Sequence, residues 1–209
     1  MATEVIDSER RVPPKDKMTF EEFLDWCDED TWAEWVDGEV VMVSPASMPH
    51  QDIGGLLEAV LRMYTEARDL GKVLRAPFMM RMDVISRGRE PDLLFISRER
   101  LHLLRHTFLD GAADVVIEIV SPESIGRDRG DKFVEYERAG VREYWLIDPD
   151  RRSAEFYELG EDTRYHTAAI GADGIYRSKV IAEFHLRVDW LWQTPLPQVI
   201  EILRELKVV

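Results

Sequence analysis

Only one cysteine, Cys27, occurs in the 209 residues of this chain. A single thiol excludes an internal disulfide framework and a multi-cysteine zinc site, and it points to a reducing cytoplasm. No run of about 18 apolar residues is present, so no membrane-spanning helix is expected. The opening Met1-Ala2-Thr3-Glu4-Val5-Ile6-Asp7 has neither the basic nor the apolar segment of an export signal. Cations are scarce as well: 27 Lys and Arg stand against 41 Asp and Glu, for a formal net charge of -14. Such a deficit argues against non-specific neutralisation of a phosphate backbone as the main activity. A local basic rim and bound divalent ions can still offset it. The cations do gather in sequence, with Arg81, Arg87 and Arg89 before Asp92 and Arg98, Arg100 and Arg105 after it. Arg127, Arg129, Lys132, Arg138 and Arg142 follow Glu118, although in a chain with 33% charged residues chance produces such clusters often.

What the chain does contain is core material: 45% of it is hydrophobic, with six Trp and eight Phe. The length suits one α/β domain, taken as residues 19–209 with a core over about 50–149, behind a loose polar arm over residues 1–18. Thr19 with Glu22 three residues later forms a capping-box pattern opening a helix over 20–28. Residues 32–43 read as a hairpin turning at Asp37-Gly38, and Ser44-Pro45 through Pro49 as a loop. Ile53, Leu56, Leu57, Val60, Leu61 and Tyr64 then fall at helical spacing up to Leu70, with Gly71 expected at the C′ position. Strands follow near 72–76, 78–85 and 91–96, with Ser86-Arg87-Gly88-Arg89 as a turn. A strand over 115–120, a Ser121-Pro122 loop, a helix over 131–139 and a strand over 143–147 complete the centre. After Pro149 the pattern becomes antiparallel strands. This is an α/β (α+β) order: a mixed sheet with flanking helices, an N-terminal helix and hairpin, and C-terminal antiparallel strands.

Two carboxylates interrupt otherwise apolar strands, Asp92 after Pro91 and Glu118 in Val115-Val116-Ile117-Glu118-Ile119-Val120. A buried, unpaired carboxylate costs several kcal/mol or neutralises. Alternation puts Glu118 on one face with Val116 and Val120, and Asp92 with Leu94 and Ile96. If the strands are neighbours, the two acids can share a Mg²⁺, an ion satisfied by few protein oxygens plus water. With Lys132 nearby, this is the minimum set for metal-assisted phosphodiester cleavage. The plainer alternative makes Asp92 a turn cap and Glu118 the partner of an arginine.

The order Pro91-Asp92, Glu118-Ile119-Val120-Ser121-Pro122, Lys132, then Tyr136-Glu137-Arg138-Ala139-Gly140-Val141-Arg142-Glu143-Tyr144-Trp145-Leu146-Ile147-Asp148-Pro149 resembles the Uma-two family of restriction endonucleases, within the PD-(D/E)XK nuclease superfamily. Glu34-Trp35-Val36-Asp37-Gly38-Glu39, Ser44-Pro45 and His50 resemble its N-terminal signature, so the likeness spans residues 19–190. The resemblance implies a restriction-endonuclease-like αβββαβ core. It also implies metal ligation by Asp92, Glu118 and the Ile119 backbone carbonyl, with Mg²⁺, or Mn²⁺ in its place, as cofactor. The chain departs from the superfamily pattern at Val120, where a lysine is usual, and Lys132 from the following helix fits that role. The alternative for Lys132 is a surface lysine near Asp128 or Glu135.

Glu34 and His50 form a second tier of candidates. Hairpin salt bridging competes for Glu34 and Glu39, and a helix cap, a phosphate contact or support of the metal ligands competes for His50. Tyr136 and Trp145 read as core, and His102, His106, His166 and His185 show no metal-ligand spacing. The function expected is a Mg-dependent endodeoxyribonuclease, a cytoplasmic homodimer with DNA as substrate and no membrane association. The alternatives are a catalytically inactive nuclease-fold protein that binds DNA or a protein partner, and a nuclease for RNA or a repair intermediate.

Overall fold

The computed structural model describes residues 13–28, 31–42, 46–121 and 124–209. The expectations for the arm up to residue 12, for Val43 and Ser44-Pro45, and for Pro122 lie outside the described residues. Helix α1 (Phe20–Trp26) is followed by β1 (Ala33–Val36), β2 (Glu39–Met42), α2 (Met48–Ala67), β3 (Gly71–Arg75), β4 (Met79–Met82), β5 (Arg87–Arg89), β6 (Leu93–Ser97), β7 (Phe108–Asp110) and β8 (Val115–Ile119). Next come α3 (Lys132–Ala139), β9 (Glu143–Asp148), β10 (Ser153–Leu159), β11 (Tyr165–Thr167), β12 (Ile175–Arg177), β13 (His185–Arg187) and α4 (Val199–Glu205).

Local chemistry sets several of these limits. Thr19 and Glu22 exchange hydrogen bonds in a capping box, the Glu22 amide donating to Thr19 Oγ1 at 3.2 Å and the Thr19 amide to Glu22 Oε2 at 2.7 Å. Asp37 and Gly38 both take positive φ, 51° and 87°, as a two-residue hairpin turn demands. Helix α2 buries the face foreseen from spacing, but Gly71 is not its terminator. The helix ends at Ala67 with Arg68 as cap, and Asp69 takes the left-handed conformation. Gly71 instead opens β3, where an added Cβ would stand 2.1 Å from the Ile96 carbonyl oxygen. The glycine is there for close strand approach rather than for helix termination.

Six strands form the main sheet in the order β11-β10-β9-β8-β6-β3. Within it, β3, β6 and β8 are antiparallel neighbours, while β8 and β9 run parallel through the α3 crossover. The run α2-β3-β6-β8-α3-β9 is the αβββαβ order expected from the sequence. Two segments differ from expectation. The strand read at 78–85 shortens to β4 and leaves the main sheet for a second one, ordered β2-β1-β5-β4-β7. The turn read at 86–89 narrows to Ser86, and residues 87–89 pair with both β1 and β4. Gly88 admits that pairing because a Cβ there would meet the Phe20 ring at 2.8 Å.

Both faces of the main sheet are covered, so β8 is buried throughout. Ile117 and Ile119 face α2 and the C-terminal elements, within a cluster that includes Trp145, Phe156, Tyr176 and Phe184. Val116 and Val120 face α3 and β4, with Tyr136, Tyr144 and Met80. Among the described residues no helix is long and apolar enough to cross a membrane.

Candidate active site

Pairing of β6 with β8 sets Leu93 against Ile117 and Leu94 against Val116. Continuing that register by one pair puts Asp92 opposite Glu118, at the end of the sheet where β6 begins. Asp92 Oδ2 accepts the Ile119 amide at 2.7 Å and meets His50 Nε2 at 3.2 Å. The Ile119 N–H thus orients Asp92, and Ile119 lines the same cavity as both acids. Burial pulls the His50 pKa down, but the hydrogen bond and charge of Asp92 outweigh it and leave His50 above its ordinary value. The N-cap of α2 is Ser47, not His50.

Glu118 is only 3% exposed. Its Oε1 accepts from Lys132 Nζ at 2.9 Å and from the Tyr136 hydroxyl at 2.6 Å. Burial pushes its carboxyl up, with Asp128 and Asp92 adding to the rise, while the Lys132 ammonium opposes it and favours the carboxylate. At the departure noted in the sequence, Val120 packs in the apolar layer and Lys132 arrives from the first turn of α3. Its ammonium lies 3.3 Å from Glu34 Oε1 and 3.4 Å from Asp128 Oδ1 as well as beside Glu118. Burial would lower the Lys132 pKa, yet these three carboxylates outweigh it and hold Lys132 well above its usual range. Lys132 is thus no surface lysine, although Asp128 is a partner; Glu135 pairs instead with Arg87 and Arg89.

Glu34 comes from β1 in the second sheet and is fully buried against Arg89, whose Nη1 donates to its Oε2 at 2.8 Å. Burial favours its protonation, but Lys132, Arg89 and Arg127 together keep it below the ordinary glutamate value. Glu39 is exposed, and among the described residues its ion-pair partner is Lys17, at 3.9 Å. Of the two hairpin glutamates, Glu34 alone joins the cluster.

Asp92, Glu118, Lys132, Glu34 and His50 all line one cavity of about 360 Å³. Three further side chains line it that the sequence reading did not select as site residues, Glu90, Arg127 and Asp128, and a fourth, Tyr136, reaches the site through Glu118. Glu90 lines the cavity, and burial together with the neighbouring Glu34 pushes its carboxyl up to about 8. It stands two residues before Asp92, so the same strand alternation already applied to Asp92 would have found it. Asp128 and Tyr136 flank Lys132 at spacings of four, one helix face that the pattern Asp128-x-x-x-Lys132-x-x-x-Tyr136 displays. Arg127 opens a wider, π-type turn over Arg127–Asp131 that precedes α3, where the sequence reading had only loop. Such turns recur at functional sites because they re-aim side chains of a helix.

The gathered cations do not form a basic rim. Of the eleven named in the sequence, every one except Arg138 stands within ion-pair distance of a carboxylate among the described residues.

Asp92 Oδ1 and Glu118 Oε2 accept no hydrogen bond among the described residues, whereas their partner oxygens do. Two unengaged carboxylate oxygens beside a cavity suit a hard divalent cation that retains much of its water. Among the described residues no set of three or more His, Cys, Asp or Glu is arranged as a complete metal cage.

The family model described as "Uma2: Putative restriction endonuclease" matches residues 20–189. No curated protein matches the chain. A solved structure from Anabaena variabilis ATCC 29413, described as a putative nuclease belonging to DUF820, is similar with a TM-score of 0.71 at 18% identity. The alignment covers 84% of this chain and 97% of that one, and at such identity the likeness concerns the fold.

Proposed function

The chain belongs to the Uma2 family, and from that membership we propose that it is a Mg²⁺-dependent endonuclease hydrolysing phosphodiester bonds of DNA. The observation that carries this reading is the meeting, in one cavity, of two carboxylates from adjacent strands with a buried lysine. Asp92 and Glu118 would hold the ion, Mg²⁺ or Mn²⁺, with the Ile119 carbonyl as a third donor. When bound, the ion supplies Lewis-acid polarisation of the phosphate and a lowered pKa for an attacking water. His50 and the Ile119 amide fix the orientation of Asp92, so its free oxygen is presented without rearrangement. Lys132 carries its charge beside Glu118, where it stabilises the charge that develops on the attacked phosphate. Glu34 and Asp128 keep that ammonium protonated and limit its rotation.

Nicking of plasmid and oligonucleotide substrates with Mg²⁺ or Mn²⁺ tests the reading in wild type, Asp92→Asn, Glu118→Gln and Lys132→Gln. Losing the Lys132 charge is expected to slow cleavage on the order of 10²–10³-fold. Asp92→Asn and Glu118→Gln should also weaken cation binding in calorimetry. Because Lys132 neutralises buried acids, thermal unfolding is measured on each variant so that lost folding is not read as lost chemistry. If wild type cuts nothing across several substrates and metals, the chain is a nuclease-fold protein that binds DNA or a protein partner without cutting. A C2 homodimer is part of the proposal, the commonest closed symmetry and one that presents two sites. A monomer mass in light scattering at micromolar concentration would remove that part.

A further inference from the structure

The surroundings of the cavity narrow which DNA it is built to hold; this step rests on the nuclease reading above. Affinity for a duplex comes largely from cations laid along its phosphates. Here the nearby arginines are already engaged: Arg89 by Glu34 and Glu135, Arg87 by Asp37 and Glu135, and Arg75 by Glu58 and Gln51. Arg127 is different. It lines the cavity with a buried Nε that has no hydrogen-bond partner among the described residues, 3.9 Å from Glu34. A guanidinium held by one long ion pair and no hydrogen bond among the described residues can serve one phosphate, not a backbone.

The mouth offers apolar surface where a duplex binder would offer charge. Trp32 and Met42 line the same cavity and are 48% and 40% exposed. An aromatic face left in water is a platform on which an unpaired base stacks, and such stacking needs no sequence match. A base inside a duplex is already stacked on its neighbours and gains nothing from Trp32. The cavity, about 360 Å³, falls near the lower end of the roughly 300–1,000 Å³ spanned by small-ligand sites. It is scaled to an inserted nucleotide and not to a turn of double helix.

We propose that the site takes an unpaired DNA strand, as a single strand, flap or frayed end, with Trp32 stacking on a base and Arg127 holding one phosphate.

Fluorescence anisotropy decides this with a labelled short oligothymidylate carrying hydrolysis-resistant phosphorothioate linkages, alone and annealed to oligodeoxyadenylate, in Mg²⁺ buffer over a range of salt. The single strand is expected to bind at least about tenfold tighter than the duplex, the gain of one stacked base. The slope of log affinity against log salt should be shallow, about -1, because only one or two phosphates are neutralised. Trp32→Ala should weaken single-strand binding about tenfold and Trp32→Phe should recover most of it. Arg127→Gln should flatten the salt slope further. Equal binding of the duplex, a slope steeper than about -4, or no effect of Trp32→Ala would overturn the proposal. The readout is binding, so a wild type that binds the single strand but cuts nothing overturns the cleavage reading and leaves this one standing. Binding of neither oligonucleotide overturns both.

Discussion

At the scale of single residues, the site is held by a few hydrogen bonds to charged atoms, and these are the strong kind. The Tyr136 hydroxyl donates to the same Glu118 oxygen that Lys132 contacts, inside a fully buried aromatic environment. Tyr136→Phe removes that donor and leaves the shape intact. It should lower stability by about 1.5–3 kcal/mol, the range for a hydrogen bond to a charged group, read as a denaturation midpoint shift. Cleavage should fall less than with Lys132→Gln, because the ammonium remains. Removing Lys132 strips the shared cation from Glu34, Glu118 and Asp128 together. A loss of about 3–5 kcal/mol is expected for Lys132→Gln, the cost of breaking a buried pair, and an unchanged urea midpoint would count against the network. Asp92 and Glu118 were legible as candidates because acids stand out in apolar strands. Lys132 was legible only as a lysine opening the helix after β8, and its role in place of Val120 came from the family resemblance. Tyr136 was legible as core and Asp128 as a neighbour of Lys132, but neither as part of the site, because helical spacing does not show that their face meets a buried glutamate.

At the scale of elements, strands were easier to read than their partners. The apolar character of residues 91–96 and 115–120 predicts two strands, and they form; nothing local told β4 to desert the main sheet for β5. That choice depends on Gly88 meeting Phe20, a contact between residues 68 positions apart (88 against 20). The loop read before α3 proved helical, and the Tyr144 hydroxyl donates to the Asp128 carbonyl there from a strand 16 residues away. Joints between elements rely on buried acids too. Asp114, at the start of β8, accepts the Ser97 amide at the end of β6 and Arg100 Nη1 just beyond it. Burial pushes Asp114 up, but the Ser97 amide and Arg100 prevail and hold it below the usual aspartate value. A carboxyl depressed in the folded state stabilises at pH above its unfolded value, near 3.9, and that contribution drains away as pH falls through the folded value. Asp114→Asn should therefore cost about 2 kcal/mol at neutral pH and much less near pH 3, a convergence visible in thermal melts of the two proteins.

At the scale of the whole molecule, the nuclease core and the segment after Pro149 share one interior. Phe156 and Tyr176 stack with ring centroids 3.8 Å apart beneath Trp145, and the Tyr64 hydroxyl of α2 donates to the Ala182 carbonyl. Helix α4 returns over α2, where Arg68 donates to the Leu206 carbonyl. Truncation after Gln198 removes the buried Ile202, Leu203 and Leu206. At about 1.5–3 kcal/mol for each buried aliphatic side chain, the three together lose about 4.5–9 kcal/mol, a large share of the about 5–15 kcal/mol that holds a typical domain. The truncated chain is expected to show no cooperative unfolding transition by circular dichroism; a sharp one would show that the C-terminal helix is an accessory. One consequence of the Glu34–Lys132 contact concerns synthesis rather than chemistry. Glu34 leaves the ribosome 98 residues before Lys132 (132 against 34), an interval of roughly 5–20 s at ordinary translation speeds. During that time the hairpin acid can meet Arg89 but not the lysine that ties it to Glu118. The ribosome thus delivers a chain whose cleft can close only after most of it has been translated, and a prematurely terminated product ending before residue 132 is born without it.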